Sequence, residues 1–426
     1  MNSNPKILML GWEFPPIFSG GLGIVTYYLT KALVDAGADL TLLVPHFVYE
    51  KVKGKVSNRG IPFGQKGYNF TRKTIRINSK IHSPYLSYEK SASSSSHQFT
   101  RNKGTNSVDS ALYGHNLIQE VERFARDALE ATENETYDLI HAHDWITAQA
   151  ALKIKEAKGI PFILHIHATE FDRSGETALD NEIYHREKTA MQEALHIITV
   201  SRYTKHILEQ YYGIDGSKIS VIYNAYNDPL PDEGTRYEKL WEKDNSEFWV
   251  IFMGRLTMQK GPDYFLAAAK KVIARNKKVH FLISGTGGMV EDVIHFIDRE
   301  KLHKNIHYLG FLGQEERDAL YVRADCMVVP SVSEPFGLTV VEGVKHSTPM
   351  IVSRTCGANE IIGHKLSVDF WDTDRIAEYI LALQRYPALR RTLRKKSKEH
   401  FPDFTWHDQA QKIMAIYSQT LNIEYC

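Results

Sequence analysis

The stretch KILMLGWEFPPIFSGGLGIVTYYLTKALVDAGADLTLLVP, residues 6–45, decides the fold. KILMLGW is a short, unbroken apolar run, which suits a strand buried on both faces of a parallel sheet. EFPPIFSGGLG is too rich in Gly and Pro to be helical. IVTYYLTKALVDAGA then places apolar residues at helical spacing and stops at Gly37, and DLTLLVP reads as a second strand. Strand, glycine loop, helix, strand is a βαβ unit, the module of doubly wound folds.

The alternation continues outward from there. YDLIHAHDW is a strand, ITAQAALKIKEAKG a helix and IPFILHIH a strand, and HIITVS and ISVIYN are two more strands. The polar, Pro-bearing segment AYNDPLPDEGTRYEKLWEKDNSE, 225–247, is the natural boundary, and after it the pattern restarts. FWVIFMGRL is a strand, GPDYFLAAAKKVIARN a helix, VHFLISGTGG a strand with a glycine loop, and CMVVPS and PMIVS are strands around a helix that starts near Leu338. The expectation is an α/β protein of two doubly wound, Rossmann-like domains facing across a cleft. The first spans 1–225, the linker 226–247 and the second 248–405. Within the first, the Ser-rich part of 85–112 has too little apolar surface to offset its ordering entropy and reads as a mobile insertion.

Ligands on such sheets bind at the carboxyl ends of the strands. Candidate loops therefore carry the chemistry. In FSGGLG, Gly20 and Gly21 precede a helix and let backbone amides approach an anion. The spacing is not that of a dinucleotide fingerprint, and a structural turn is the ordinary alternative. GRLTMQKG puts Arg255 and Lys260 just after a strand, a fork and a point charge suited to different phosphate oxygens, or simply a solvated loop. LISGTGG places Gly285 after another strand. IHAHDW sets His141 and His143 on one strand face, and HIHATEFDR brings further polar groups to the next strand end. Two histidines with Asp144 are not a specific metal set, so hydrogen bonding of His143 to a substrate hydroxyl is the better functional reading.

In SEPFGLTVVEG, 333–343, Glu334 and Glu342 are separated by seven residues. Glu334 lies in the loop and Gly337 permits a tight turn. The amides of Gly337, Leu338 and Thr339 open a helix whose positive end would hold a diphosphate. Glu342 could accept from vicinal ribose hydroxyls or serve only as a partner of the helix dipole. Glu334, Phe336 and the glycine turn would meet the sugar side of the ligand. The spacing fits a nucleoside–diphosphate–sugar.

Together, PPIFSGGLG, IHAHDW, VSRYTK, VIYN, GRLTMQKG, SGTGG and SEPFGLTVVEG resemble the retaining glycosyltransferases of family 4, with the two-domain GT-B fold, and are similar in design to glycogen and starch synthases. The resemblance runs from about Ile7 to Tyr417. It implies that Arg255 and Lys260 neutralise the donor diphosphate, Glu334 contacts the donor sugar and Glu342 the ribose. It implies that Gly20 and Gly21 close on the phosphates and that His143 lies beside the anomeric centre. FTWHDQAQKIMAIY resembles a terminal helix, within 406–426, that crosses back onto the first domain. Glycogen synthases carry Lys where Phe18 precedes Ser19 and the double glycine, so the resemblance favours a broader transferase. The implied reaction moves a hexose from a UDP-, ADP- or GDP-sugar to a carbohydrate hydroxyl, with no cofactor and no metal. A sugar phosphorylase, a nucleotide-sugar epimerase and a non-catalytic nucleotide-sugar sensor are the alternatives.

Bulk properties set the remaining expectations. A net charge of +1 argues against a nucleic-acid binder. Three scattered cysteines read as reduced thiols. The N-terminal apolar run is too short for a signal sequence or membrane span, so a cytoplasmic location is expected. RRTLRKKSKEH, 390–400, is ordinarily a solvated helix face, with peripheral contact to anionic lipid as the alternative.

Overall fold

A computed structural model describes residues 5–14, 21–47, 73–79, 117–175, 181–226, 241–244, 246–399 and 404–421. The expected insertion at 85–112, most of the expected linker and Gly20 lie outside the described residues.

The first sheet contains β1 (Lys6–Leu10), β2 (Asp39–Phe47), β3 (Lys73–Ser79), β4 (Leu139–His143), β5 (Phe162–Ile166), β6 (His196–Thr199) and β7 (Ile219–Val221). Their order is β3-β2-β1-β4-β5-β6-β7, and every pairing is parallel. The second sheet contains β8 (Phe248–Met253), β9 (Val279–Ser284), β10 (Ile306–Gly310), β11 (Cys326–Val329), β12 (Met350–Ser353) and β13 (Leu366–Val368). It is also wholly parallel, in the order β10-β9-β8-β11-β12-β13.

Each sheet is covered on both faces, which is why β1, β4, β5, β8 and β11 are unbroken apolar or buried runs. Leu8, Leu10, Ile140 and Leu164 pack into one cluster, while Ile7, Met9, Leu40 and Ile163 pack into the opposite one. The second sheet divides in the same way. Val250, Phe252 and Ile283 face one side, and Trp249, Ile251 and Met327 face the other. Helix Trp406–Leu421 lies on the first sheet, where Trp406, Ile413 and Tyr417 pack with Val25 and Leu29 of helix Gly21–Asp35. Cys326 and Cys356 are buried free thiols.

Strand order reverses between β1 and β4 and again between β8 and β11, and ligands of open α/β sheets seat at such crevices. Beside the second crevice, the loops after β8 and β9 approach each other closely through backbone. Gly254 N–H donates to Ser284 O at 3.0 Å and Leu256 N–H to Thr286 O at 2.8 Å. Gly285, at φ +145°, lies so close to Gly254 that an added Cβ would sit 1.7 Å from the Gly254 carbonyl oxygen. Because backbone cannot yield as a side chain can, Gly285→Ala is expected to cost about 2 kcal/mol or more. Urea melts of the two proteins check this.

Candidate active site

Lys260 closes a short 3-10 turn, Met258–Lys260, and Pro262 starts the helix that follows. The turn is tied to the next loop, since Val332 N–H donates to Gln259 O at 2.9 Å. That loop delivers Glu334, whose Oε2 lies 2.5 Å from Lys260 Nζ and accepts from Ser331 Oγ at 3.3 Å. Arg255 is half-buried on the same loop as Lys260. The loops after β8, β9 and β11 therefore converge at one sheet end.

Gly337 caps helix Leu338–Lys345 at φ +101°, and a Cβ there would lie 3.0 Å from Cys356 Sγ and 3.2 Å from Glu334 Cγ. Only glycine takes this conformation without strain. Val340 N–H turns back to Gly337 O at 3.0 Å, leaving the amides before it as the open positive end of the helix. The first lobe meets that end directly. Gly21 begins its own helix, and a Cβ on it would stand 2.9 Å from Leu338 Cδ1. Phe336 is buried, and its carbonyl accepts from Ala358 N–H at 2.6 Å, so it braces the turn.

Glu342 is buried with protein partners of its own. Tyr321 Oη donates to it at 2.9 Å, and an Arg317 nitrogen lies 3.5 Å away. The Glu342 charge pushes the Arg317 guanidinium above its ordinary range.

His143 is fully enclosed. His141, His143, His165 and His167 form a two-by-two array on β4, β5 and the residue just beyond, with ring centroids 4.3–5.4 Å apart. His141 Nδ1 pairs with Tyr417 Oη at 2.6 Å and His141 Nε2 with His165 Nδ1 at 3.3 Å. His143 Nδ1 pairs with His167 Nε2 at 2.8 Å. Nitrogens of His141, His143 and His165 lie within 4.8 Å of one another, a spacing a metal could use. The rings hydrogen-bond to one another and to Tyr417, and burial favours their uncharged forms, so we read the set as a network of neutral imidazoles. Burial drives all four below their ordinary values, His143 to about 3.

The His143–His167 pair is one acceptor short. Two neutral rings sharing one hydrogen bond must leave one further N–H, on His143 Nε2 or His167 Nδ1, and both atoms are buried without a partner. His167 is the ring of the four that is not fully buried. Its backbone N–H donates at 2.7 Å to Asp144, a residue held at φ +55°, whose carboxyl burial pushes up to about 7.

Comparison with known proteins gives the family. Residues 6–220, just over half of the chain, match the family described as starch synthase catalytic domain, and residues 235–400 match glycosyl transferases group 1. The chain belongs to this glycosyltransferase family. The glycosyltransferase is 25% identical over 419 residues to a glycogen synthase of Mycobacterium tuberculosis, covering 97% of this chain and 94% of the relative. Among solved structures it is similar to a sucrose-phosphate synthase from Thermosynechococcus elongatus, with TM-score 0.73, 18% identity and coverage of 98% and 99%. It is also similar to the catalytic domain of starch synthase IV from Arabidopsis thaliana bound to ADP and acarbose, with TM-score 0.67, 17% identity and coverage of 99% and 100%. The enzyme is thus a GT-B-type α/β protein that transfers a glycosyl group from a nucleotide sugar. No helix among the described residues is long and apolar enough to cross a membrane.

The structure brings Lys260, Glu334, Gly337 and Leu338 together with Gly21, and it seats Gly285 against the backbone beside Arg255. From sequence, His167 and Asp172 counted only among the polar groups that HIHATEFDR brings to a strand end, with no individual role, and Ser333 was not named. Strand alternation put His165 and His167 on one face, and position 167 at the strand's carboxyl end was the available signal.

The imidazole array has a pH consequence. A histidine whose folded pKa lies below its unfolded value near 6.5 makes the unfolded chain bind more protons between the two values. Its contribution to stability is therefore complete above about pH 6.5 and is lost as pH falls toward the folded value, about 3 for His143. Asp144 and Glu187, raised by burial to about 7 and about 8, act in the opposite sense as pH rises. His143→Asn should remove one proton from the acid limb, flattening stability against pH between 6 and 4 by about 1.4 kcal/mol per pH unit. Urea melts across that range measure the slope.

Proposed function

We propose that this glycosyltransferase moves a hexose, with anomeric retention, from a nucleoside diphosphate sugar to a carbohydrate hydroxyl. The observation that carries the reading is the Lys260–Glu334 contact at the open end of helix Leu338–Lys345. A diphosphate seated there would meet Lys260, Arg255 and the amides of Gly337, Leu338 and Thr339. These groups would stabilise the charge that grows as the bond from C1 to the phosphate oxygen breaks. Gly20 and Gly21 would approach the phosphates from the other lobe. The unpartnered nitrogen of the His143–His167 pair would find its acceptor in a hydroxyl of the donor sugar. Gly285 and Phe336 would shape the cleft rather than carry chemistry.

Retention by a covalent intermediate would need a free carboxylate at Glu334. Its Oε2 accepts from Lys260 and Ser331, and the resemblance to retaining glycosyltransferases of family 4 favours the other route. In that route the acceptor oxygen bonds to C1 on the face the phosphate leaves, and its proton passes to the leaving phosphate oxygen. No metal has a step in this scheme. Likeness to glycogen and starch synthases makes ADP-glucose and UDP-glucose the first donors to assay and an α-glucan the first acceptor.

Glu342 would reach the ribose only by sharing its carboxylate with Tyr321 and Arg317. Lys260→Ala should lower kcat about a hundredfold or more. Steady-state transfer assays with either donor test it, and full activity in a folded Lys260→Ala protein would remove the leaving-group role.

A further inference from the structure

We infer that Ser333, Asp172 and Tyr203 are positioning residues that register the donor-site loop of the second lobe against the His167 loop of the first. Ser333 precedes Glu334. Its Oγ lies 2.5 Å from Asp172 Oδ1 and 3.0 Å from Tyr203 Oη. The direction of the chain follows from proton counting. Asp172 accepts at Oδ2 from Thr169 N–H at 2.7 Å and Thr169 Oγ1 at 2.9 Å, and at Oδ1 from Ser333. As a carboxylate, Asp172 accepts from all three. With Ser333 donating its single proton to that carboxylate, Tyr203 Oη donates to Ser333. The chain runs Tyr203 to Ser333 to Asp172, from the first lobe to the second and back.

Asp172 and Ser333 are 2% and 4% exposed, so water does not replace a lost partner there. The residue after Glu334 is tied in the same way. Pro335 O accepts from Ser201 Oγ at 2.5 Å and from Thr204 Oγ1 at 3.3 Å. Glu334 therefore stands between two residues that both hydrogen-bond to the first lobe, and its own side chain reaches only Lys260 and Ser331 of the second. Farther along, Glu360 accepts from the amides of Arg202 and Tyr203 at 2.9 and 2.7 Å and from Tyr223 Oη at 3.0 Å, which holds the two lobes in line. Asp172 closes the segment that begins at His167. The Ser333–Asp172 bond thus fixes the distance between the imidazole side of the cleft and the carboxylate side. A displacement of about 1 Å between groups that act on one substrate costs about a hundredfold in rate.

The test uses the full chain with ADP-glucose or UDP-glucose, whichever the unaltered enzyme turns over. Ser333→Ala and Tyr203→Phe should lower kcat about 10- to 100-fold while donor KM moves less than about threefold. Ser333→Thr, which keeps the hydroxyl, should restore most of the rate. Asp172→Asn combined with Ser333→Ala should be little worse than Ser333→Ala alone, because both cut one chain. Amide exchange supplies a readout that does not depend on turnover. Asp172→Asn, a change in the first lobe, should speed exchange across 333–340 in the second. Unchanged exchange there, kcat within twofold of the parent in folded Ser333→Ala, or Ser333→Thr as impaired as Ser333→Ala would each overturn the proposal. If Asp172→Asn fails to fold, Tyr203→Phe removes one oxygen only and carries the same exchange test.

Discussion

The site is organised around the Lys260–Glu334 ion pair. Its members come from loops after β8 and β11, strands that are neighbours in the sheet but 74 residues apart in the chain. Both side chains are mostly withdrawn from solvent, at 17% and 8% exposed. A pair so placed is costly to break from one side, because the survivor is left desolvated and unpaired. It holds the two loops in register and keeps an ammonium at the open end of helix Leu338–Lys345. A diphosphate bound as proposed would find cation and amides already oriented, which is the preorganisation that electrostatic catalysis requires.

The first lobe answers with an unusually polar interior at the facing edge. Arg173 lies 3.1 Å from Glu170 and 3.2 Å from Glu187, and Tyr212 Oη donates to Glu187 at 2.5 Å. Burial pushes Glu187 up to about 8. Beside this network lie Asp172 and the four imidazoles. Such groups pack into a protein only when nearly all their hydrogen bonds are met. One exception, an N–H of the His143–His167 pair, belongs to a pair whose His167 ring is only partly buried. A short capping helix, Glu170–Ser174, secured by Thr169 and Asp172, carries this polar segment toward the second lobe.

Much of the fold was legible. Continuous apolar runs such as KILML, FILHI and FWVIFM announced strands covered on both faces, and glycine loops between them announced crossovers. Two edge strands, β3 and β13, were not legible. KTIRINS at β3 carries only two apolar residues, and LSV at β13 is only three residues long. The loop chemistry of Lys260 and Glu334 could be read because each follows a strand and the two strands share a sheet. The bond between Ser333 and Asp172 spans 161 residues and two domains, and no local pattern reports it. The partners of Glu342 on helix Gln314–Arg323 escaped for the same reason.

The central claim is that the cleft grips a pyrophosphate through Lys260, Arg255 and a helix amino end. Calorimetric titration of UDP and ADP against UMP and AMP tests it most directly. The diphosphates should bind about a hundredfold more tightly, since only they would place a second phosphate among cations and open amides. Equal affinity for mono- and diphosphate would contradict it.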